Sequence, residues 1–459
     1  MFDMKKSLKY HFVGIGGIGM SALAQITKSQ GHVVGGSDRR NDNRQTPEVF
    51  NKLESQGIRL SPQDGTGIDK ETDFLVISSA VEEDNPDLKI AMQQDIQIIK
   101  RSDLLGSLFN NKKHGIAIGG SNGKTTVCAM TSWILDKAGH DPTVVGGGYA
   151  KNFITDKLLG NSKPGHSESI VIEADESDGS LIKYRPRVSV ITNISRDHKT
   201  VEELRELFSQ FAENTSGTVI INESCSGFIK TDGSPAKIIT FGESSSSDVC
   251  ASLISCSSFR SSFKVKDTDF EINIPGHYNI YNALAAIAVA RAEGVSDIEI
   301  KNALKTFKGT KRRMEVIGEA NGIKVIDDYA HNPKKVQAAI DTVRLISERL
   351  IVVFQPHGFG PTEFMRDELI SAFAEKLLPT DTLLMPEIYY AGGTAEKRIS
   401  SNDIIKELKN RNINAIFVPE REDIVAEIKQ RAIPHDSVLV MGARDDSLTD
   451  FCHAILNEL

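Results

Sequence analysis

Short apolar runs recur along the chain, each closed by glycine or polar residues and followed by apolar positions at helical spacing. Tyr10–Val13, His32–Gly35, Phe74–Ile77, His114–Ile118, Ser169–Ile172 and Val188–Asn193 read as buried parallel strands. Ser21–Ser29 reads as a helix, as does the stretch that carries Val127, Met130, Ile134 and Leu135 on one face. Glu223–Asp267 is serine-rich and reads as short strands and loops, and Ala283–Glu293 as a long helix. Beyond Lys311, strands at Ile323–Ile326, Leu350–Phe354, Thr382–Met385, Ala415–Val418 and Ser437–Met441 alternate with helices over Pro361–Leu378, from Ser401, from Asp423 and at the end. This alternation predicts α/β architecture built on doubly wound parallel sheets. The polar stretch Lys100–Lys113 reads as a link between the first part and the next. The divisions drawn from this pattern are 1–108, 109–310 and 311–459.

Two strand-to-helix junctions carry the candidate chemistry. The run His114–Ile118 leads into Gly119-Gly120-Ser121-Asn122-Gly123-Lys124-Thr125-Thr126 and then a helix. Glycines there let backbone N–H groups face phosphate oxygens, and the helix N-terminus adds its positive end. Lys124 is expected to reach the outer phosphates of ATP, and the Thr125 hydroxyl to bind Mg²⁺. The loop is shorter than the common G-x-x-x-x-G-K, since Ile118 stands five before Gly123. A tight turn would explain the glycines but not Gly-Lys-Thr-Thr at the start of a helix. The second junction, Gly14-Ile15-Gly16-Gly17-Ile18-Gly19, fits G-x-G-x-x-G, and Ser37-Asp38 ends the next strand where such folds hold a ribose hydroxyl. Ser78 and Ser79 end a further strand on the same edge. The first part therefore reads as Rossmann-like, the centre as P-loop ATPase-like and the last part as Rossmann-like again.

Polar residues gather at other strand ends. Glu173-Ala174-Asp175-Glu176-Ser177-Asp178 follows one central strand, and Asp197-His198 lies beyond Asn193 after the next. Parallel topology is expected to bring Thr125, Glu173 and His198 toward one point, a donor set in which oxygen suits Mg²⁺ and imidazole is the less usual member. Tyr278, Asn279 and Asn282 stand near the start of the alanine-rich helix, where amides beside an aromatic ring can read and stack on a purine; helix capping by Asn279 is the plainer reading. In the last part, Asp327, Asp328, His331, Gln355, His357, Glu387 and Arg444 mark the strand ends.

Composition narrows the function. The net charge of -8 argues against a general nucleic-acid binder. No apolar run is long enough to span a bilayer, and the N-terminus lacks the apolar core of a signal peptide. The cysteines Cys128, Cys225, Cys250, Cys256 and Cys452 are scattered without metal or disulfide spacing, which fits a cytoplasmic protein with free thiols.

In this order, the glycine turn, Gly36-Ser37-Asp38, Ser78-Ser79-Ala80, the phosphate loop, Glu173–Asp178, Thr192-Asn193-Ile194, Asp197-His198, Pro275-Gly276-His277, Asn282-Ala283, Arg312-Arg313, Asp327–His331 and Phe354-Gln355-Pro356-His357 resemble the Mur ligase family over essentially the whole chain. The resemblance implies a three-domain ligase that joins an amino acid, L-alanine first, to the carboxylate of UDP-N-acetylmuramate in peptidoglycan synthesis. It uses ATP and Mg²⁺, passes through an acyl phosphate and needs no nucleophilic side chain. The first domain would hold the nucleotide sugar on Gly16, Gly17, Ile18, Gly19, Ser37, Asp38, Ser78 and Ser79, with Asn193 also on the substrate. Gly120, Ser121, Asn122, Gly123, Lys124, Thr125 and Thr126 would hold ATP phosphates. Tyr278, Asn279 and Asn282 would hold adenine, and Arg313 and Asp327 the ATP phosphate and ribose. Thr125, Glu173 and His198 would bind the metal, and His331 would lie near the reacting carboxylate and amine. A monomer or homodimer is expected.

The branch is set by departures. Sister ligases place a carbamylated lysine on the helix after the metal histidine, and no Lys lies between Thr200 and Ile229. That favours the alanine-type branch or a recycling ligase that attaches a peptide to the same sugar. Arg commonly follows Gln-Pro-His and a second His follows the first, where this chain has Gly358 and Asn332. An NAD-dependent oxidoreductase built on Gly14–Gly19 leaves the Gly-Lys-Thr-Thr loop unused, and a non-catalytic nucleotide-binding regulator would have no turnover for Lys124→Ala to remove.

Overall fold

The apolar runs become the inner strands of three sheets in a computed structural model that describes residues 7–176, 179–195, 200–257, 259–390 and 396–459. The first sheet is parallel throughout, in the order Arg59–Ser61, Val33–Ser37, Lys9–Val13, Phe74–Ile77, Gln97–Lys100. Strand order reverses on either side of Lys9–Val13, so the glycine turn after Val13 opens at a topological switch point, where α/β sheets place ligands. The helix Ile18–Ser29 begins inside that turn and buries Met20–Thr27.

The second sheet has ten strands among the described residues. Its parallel centre runs Lys237–Gly242, Thr218–Asn222, Val188–Ile191, His114–Gly119, Ser169–Glu173, Thr143–Val145, and Ser162–Lys163 closes the edge antiparallel to Thr143–Val145. The phosphate loop leaves the middle strand, His114–Gly119, whose two neighbours carry Glu173 on one side and Thr192-Asn193 on the other. The serine-rich region contributes Val249–Ser257, Arg260–Val265 and Thr268–Ile272 at the far edge. Phe12, Leu23 and Ile26 of the first sheet layer share one buried cluster with Val145, Leu159, Leu181 and Phe208 of the second. The chain up to Thr310 accordingly forms one compact unit, apart from Ser255–Ser261 and Ile274–His277.

Lys100–Lys113 is not a linker. Arg101–Asn110 is a helix that buries Leu104, Leu105 and Phe109. These apolar residues recur at i, i+1 and i+5, a helical stripe outweighed in the sequence by the polar residues around it. The alanine-rich helix also starts earlier than its composition suggests, at Tyr278, and runs to Ala292.

Lys311–Leu459 forms the body of the second unit. Its sheet runs Glu315–Ala320, Ile323–Asp328, Ser437–Gly442, Leu350–Gln355, Thr382–Met385, Ala415–Phe417, with only the first pair antiparallel. Buried clusters lie on both faces, one around Phe354 and Phe373, the other around Val440 and Phe451. Both departures from the family pattern are explained locally. Asn332 caps the helix Pro333–Arg344, its Oδ1 accepting from Lys335 N at 3.0 Å, with proline following as the first helical residue. Gly358 holds φ 70° and ψ 127° at the start of the helix Phe359–Lys376, a region that an arginine would enter only under strain.

Candidate active site

The phosphate loop is shaped by close approaches. Gly120 has φ 124°, and a Cβ there would meet Thr192 Oγ1 at 2.1 Å. Gly123 has φ 86° as the N-cap of the helix Lys124–Lys137, and a Cβ there would come within 2.4 Å of Asn282 Oδ1. Both positions therefore require glycine. The neighbouring strand end clamps the loop. Asn193 Oδ1 accepts from Asn122 N at 3.0 Å, Asn193 Nδ2 and Thr192 Oγ1 donate to Asn122 O at 2.9 and 2.6 Å, and Ser195 N donates to Ser121 Oγ at 2.9 Å. Asn193, expected on the substrate, thus shapes the phosphate loop itself.

Lys124 Nζ donates to Gly120 O and to Glu176 Oε2, each at 2.7 Å. Burial alone would pull its pKa down. Glu176, Glu173 and Asp175 outweigh that and hold the ammonium above its ordinary value. The loop is therefore charged with a fixed cation before any phosphate arrives. Thr125 and Thr126 are buried at its helical end.

Glu173 is oriented by a segment the sequence reading passed over. Gly146-Gly147-Gly148 follows the strand Thr143–Val145, and Gly147 N donates to Glu173 Oε2 at 2.9 Å. A Cβ on Gly147 would lie 2.4 Å from that oxygen, and one on Gly148 would lie 2.7 Å from Thr125 Cγ2. The glycine run thus passes directly over both Thr125 and Glu173. Three consecutive glycines after a strand were the available signal. The Thr125 hydroxyl and the Glu173 carboxylate are both hard oxygen donors, the type that suits Mg²⁺. His198, the third expected ligand, lies outside the described residues, as do Ser177, Asp178 and Asp197. Asn282 Nδ2 donates to Asn279 Oδ1 at 2.8 Å, so both amides sit buried beside Gly123, while Tyr278 is partly exposed.

At the first sheet, Asp38 serves the turn. Its Oδ2 accepts from Gly16 N at 2.9 Å and its Oδ1 from Arg40 N at 2.9 Å. Gly14 N and Ile15 N donate to Ser37 O, Gly17 N donates to Gly14 O, and the Ser37 hydroxyl donates inward to the buried Asp87. Of the expected diphosphate donors, Gly16 is therefore engaged, while Ile18 and Gly19 open the helix Ile18–Ser29, where amides have no carbonyl one turn back. Two guanidinium groups not foreseen come up to the turn. A Cβ on Gly16 would be 2.9 Å from Arg40 Nη2, and one on Gly19 would be 3.1 Å from Arg101 Nη1. Ser78 and Ser79 follow the strand Phe74–Ile77 on the same edge.

In the second unit, Asp327 is fully buried and accepts from Arg312 Nε at 3.4 Å and Thr449 Oγ1 at 2.6 Å. Each of its oxygens thus already accepts one hydrogen bond inside the unit, where the resemblance expected a ribose partner. Arg313 stacks on the Tyr329 ring with 4.8 Å from guanidinium carbon to centroid. His331 and His357 lie with ring centroids 5.6 Å apart. Burial, then Lys335, lowers the His331 pKa to about 3, and burial with Arg444 lowers that of His357 to about 4. Both are neutral at pH 7. Below the ordinary histidine value near 6.5 the unfolded chain takes up protons that the folded unit refuses. Stability present above pH 6.5 is thus expected to fall toward pH 4, by on the order of 1 kcal/mol per pH unit for each imidazole. Urea midpoints measured from pH 7 to pH 5 check this: His331→Gln/His357→Gln should flatten the decline, and an unchanged slope would refute it.

Three family descriptions match consecutive stretches: Mur ligase family, catalytic domain over residues 9–113; Mur ligase middle domain over 118–290; and Mur ligase, glutamate ligase domain over 312–444. The chain is 34% identical over 455 residues to the UDP-N-acetylmuramate–L-alanine ligase of Caldanaerobacter subterraneus, covering 96% of each. It is 36% identical over 468 residues to the enzyme of that name from Clostridium tetani, covering 97% of each. The crystal structure of UDP-N-acetylmuramate-alanine ligase from Thermotoga maritima matches with a TM-score of 0.80 at 27% identity, covering 98% of each chain. That of a murein peptide ligase from Psychrobacter arcticus shares the fold, with a TM-score of 0.71 at 24% identity over 98% of each chain.

Proposed function

The chain belongs to the Mur ligase family, and from that premise we propose that it joins L-alanine to the carboxylate of UDP-N-acetylmuramate at the expense of ATP, a step of peptidoglycan synthesis. One observation carries the reading: a lysine-bearing phosphate loop and a sugar-type glycine turn stand in one packed unit, on a chain that matches ligases of that name end to end.

ATP settles on the loop amides and the N-terminus of Lys124–Lys137, and Lys124 exchanges Glu176 for the outer phosphates. Asn279 and Asn282 with Tyr278 receive the purine. The amides of Ile18 and Gly19, flanked by Arg40 and Arg101, take the diphosphate of the sugar nucleotide. The muramate carboxylate attacks the γ-phosphorus, giving an acyl phosphate and ADP. The amino acid's nitrogen then attacks the acyl carbon, and phosphate leaves. Two anions must meet in the first step, so the Lys124 cation, already held in the loop by Gly120 O, supplies the main stabilisation. Mg²⁺ held by Thr125 and Glu173 would add to that neutralisation. Arg313 and His331 are assigned to the ATP phosphate and the incoming amine. His331 Nδ1 lies 2.9 Å from Tyr329 O, so Nδ1 carries the proton and Nε2 is left as an acceptor for an amine hydrogen.

Phosphate release is expected only with ATP, UDP-N-acetylmuramate and an amino acid together. L-alanine should exceed glycine by about 10-fold or more in kcat/KM, since a methyl group in a pocket is worth ~1–3 kcal/mol. ATP turnover indifferent to the sugar would overturn the reading. A peptide acceptor outrunning L-alanine would move the assignment to the recycling branch.

A further inference from the structure

A buried amide ties the two halves of the first unit together at their functional ends. Asn161 is 1% exposed and stands in the loop before the edge strand Ser162–Lys163. Its Nδ2 donates to Ile18 O at 2.7 Å and to Ser21 Oγ at 2.8 Å, and its Oδ1 accepts from Gln25 Nε2 at 3.0 Å. Those three partners sit on the helix that begins in the glycine turn. The backbone of the same residue faces the other way: Asn161 O accepts from Gly146 N at 2.8 Å. The next residue, Gly147, donates to Glu173, and the one after lies against Thr125. Between the Ile18 carbonyl and the Glu173 carboxylate there is thus one side chain, one backbone hydrogen bond and one peptide unit. Ser21 and Gln25 are also buried, at 0% and 1% exposure, so the joint lies away from solvent and its hydrogen bonds have no water to replace them.

We propose that Asn161 is a positioning residue that fixes the register between the glycine turn and the glycine run over Glu173, and so sets the separation at which the sugar acid meets the terminal phosphate. The inference rests on the ligase reading above. The Asn161 side chain is buried and spent on Ile18, Ser21 and Gln25, so each substrate should bind alone as before. The reaction between them should suffer, because a displacement of about 1 Å between reacting groups costs on the order of 10²-fold in rate.

The test compares Asn161→Leu, which keeps the branching of the side chain and removes its every polar contact, with the wild type in the three-substrate phosphate-release assay. Dissociation constants for a non-hydrolysable ATP analogue and for UDP-N-acetylmuramate are measured separately by calorimetry. Expected is a fall in kcat on the order of 10²-fold, with each separate dissociation constant within about threefold of wild type. A kcat within about threefold of wild type overturns the proposal, as does a weakening of both binding constants with kcat intact, the pattern of a merely structural residue. Should Asn161→Leu not fold, Gln25→Met keeps Asn161 and removes the donor to its Oδ1, along with the bonds of Gln25 to Ser21 O, Gln56 Nε2 and Leu159 N; its kcat should fall about 10-fold with both constants held, and an unchanged kcat again overturns it. A wild type without turnover would fault the ligase reading instead, whereas an active wild type beside an unimpaired variant faults only the role of Asn161.

Discussion

Lys124→Met should lower kcat/KM for ATP by on the order of 10³-fold or more, with the protein still folded. The side chain is the cation fixed in the phosphate loop, held between Gly120 O and Glu176. Methionine keeps the length and apolar stem but takes away the charge. The loss is larger than that of one hydrogen bond, because the carboxylates around the lysine stay behind. Glu173, Asp175 and Glu176 all act on the Lys124 ammonium, and without it they face an incoming triphosphate uncompensated. A second substitution separates the two contributions. Glu176→Gln in the Lys124→Met background should recover part of the ATP affinity by removing one repelling charge, but not turnover, since nothing then stabilises the phosphate in transfer. Nucleotide titration and phosphate release on the same preparations check this. Turnover within about 10-fold of wild type in Lys124→Met would mean that another cation does the work.

That lysine, its loop and the strands around it were legible because each is a local pattern: an apolar run, glycines, then a polar residue at a fixed offset. The alternation after Lys311 was legible for the same reason. What could not be read was any role created by segments far apart in sequence meeting. Asn161 is an unremarked residue in a loop until it meets Ile18, 143 positions earlier. Arg101 fell in a stretch whose polar residues masked a helix, so its approach to Gly19 had no local signal. Asp38 and Asn193 were correctly placed at strand ends, but position does not say whether a carboxylate or amide faces a ligand or the glycine loop beside it. Both face the loop, through Gly16 N and Asn122 N. The glycine turn and the phosphate loop are each braced by a side chain from a neighbouring strand end, a task that falls to loops whose glycines contribute no side chains of their own.

Asp327→Ala is expected to be the most destabilising single change in the second unit, because it leaves a buried cation unpaired. Arg312 is 8% exposed, and its guanidinium donates to Asp327, to Asp445 O at 2.9 Å and to Gly442 O at 2.8 Å. The two carbonyls supply dipoles but no countercharge. Breaking such a pair from one side costs about 3–5 kcal/mol. In a unit of this size that corresponds to a fall of roughly 10–15 °C in its melting midpoint. Removing both charges together should cost far less: Arg312→Met/Asp327→Leu restores apolar packing and leaves no buried charge. The comparison also decides what Asp327 is for. Were its carboxylate a ribose ligand, Asp327→Asn would weaken ATP binding and leave the melting midpoint alone. With Arg312 and Thr449 occupying its two oxygens, the opposite is expected: calorimetric melting should register the change, and nucleotide affinity, measured well below the transition, should stay close to that of the wild type. A midpoint that does not move, together with a lost nucleotide affinity, would return Asp327 to the ligand.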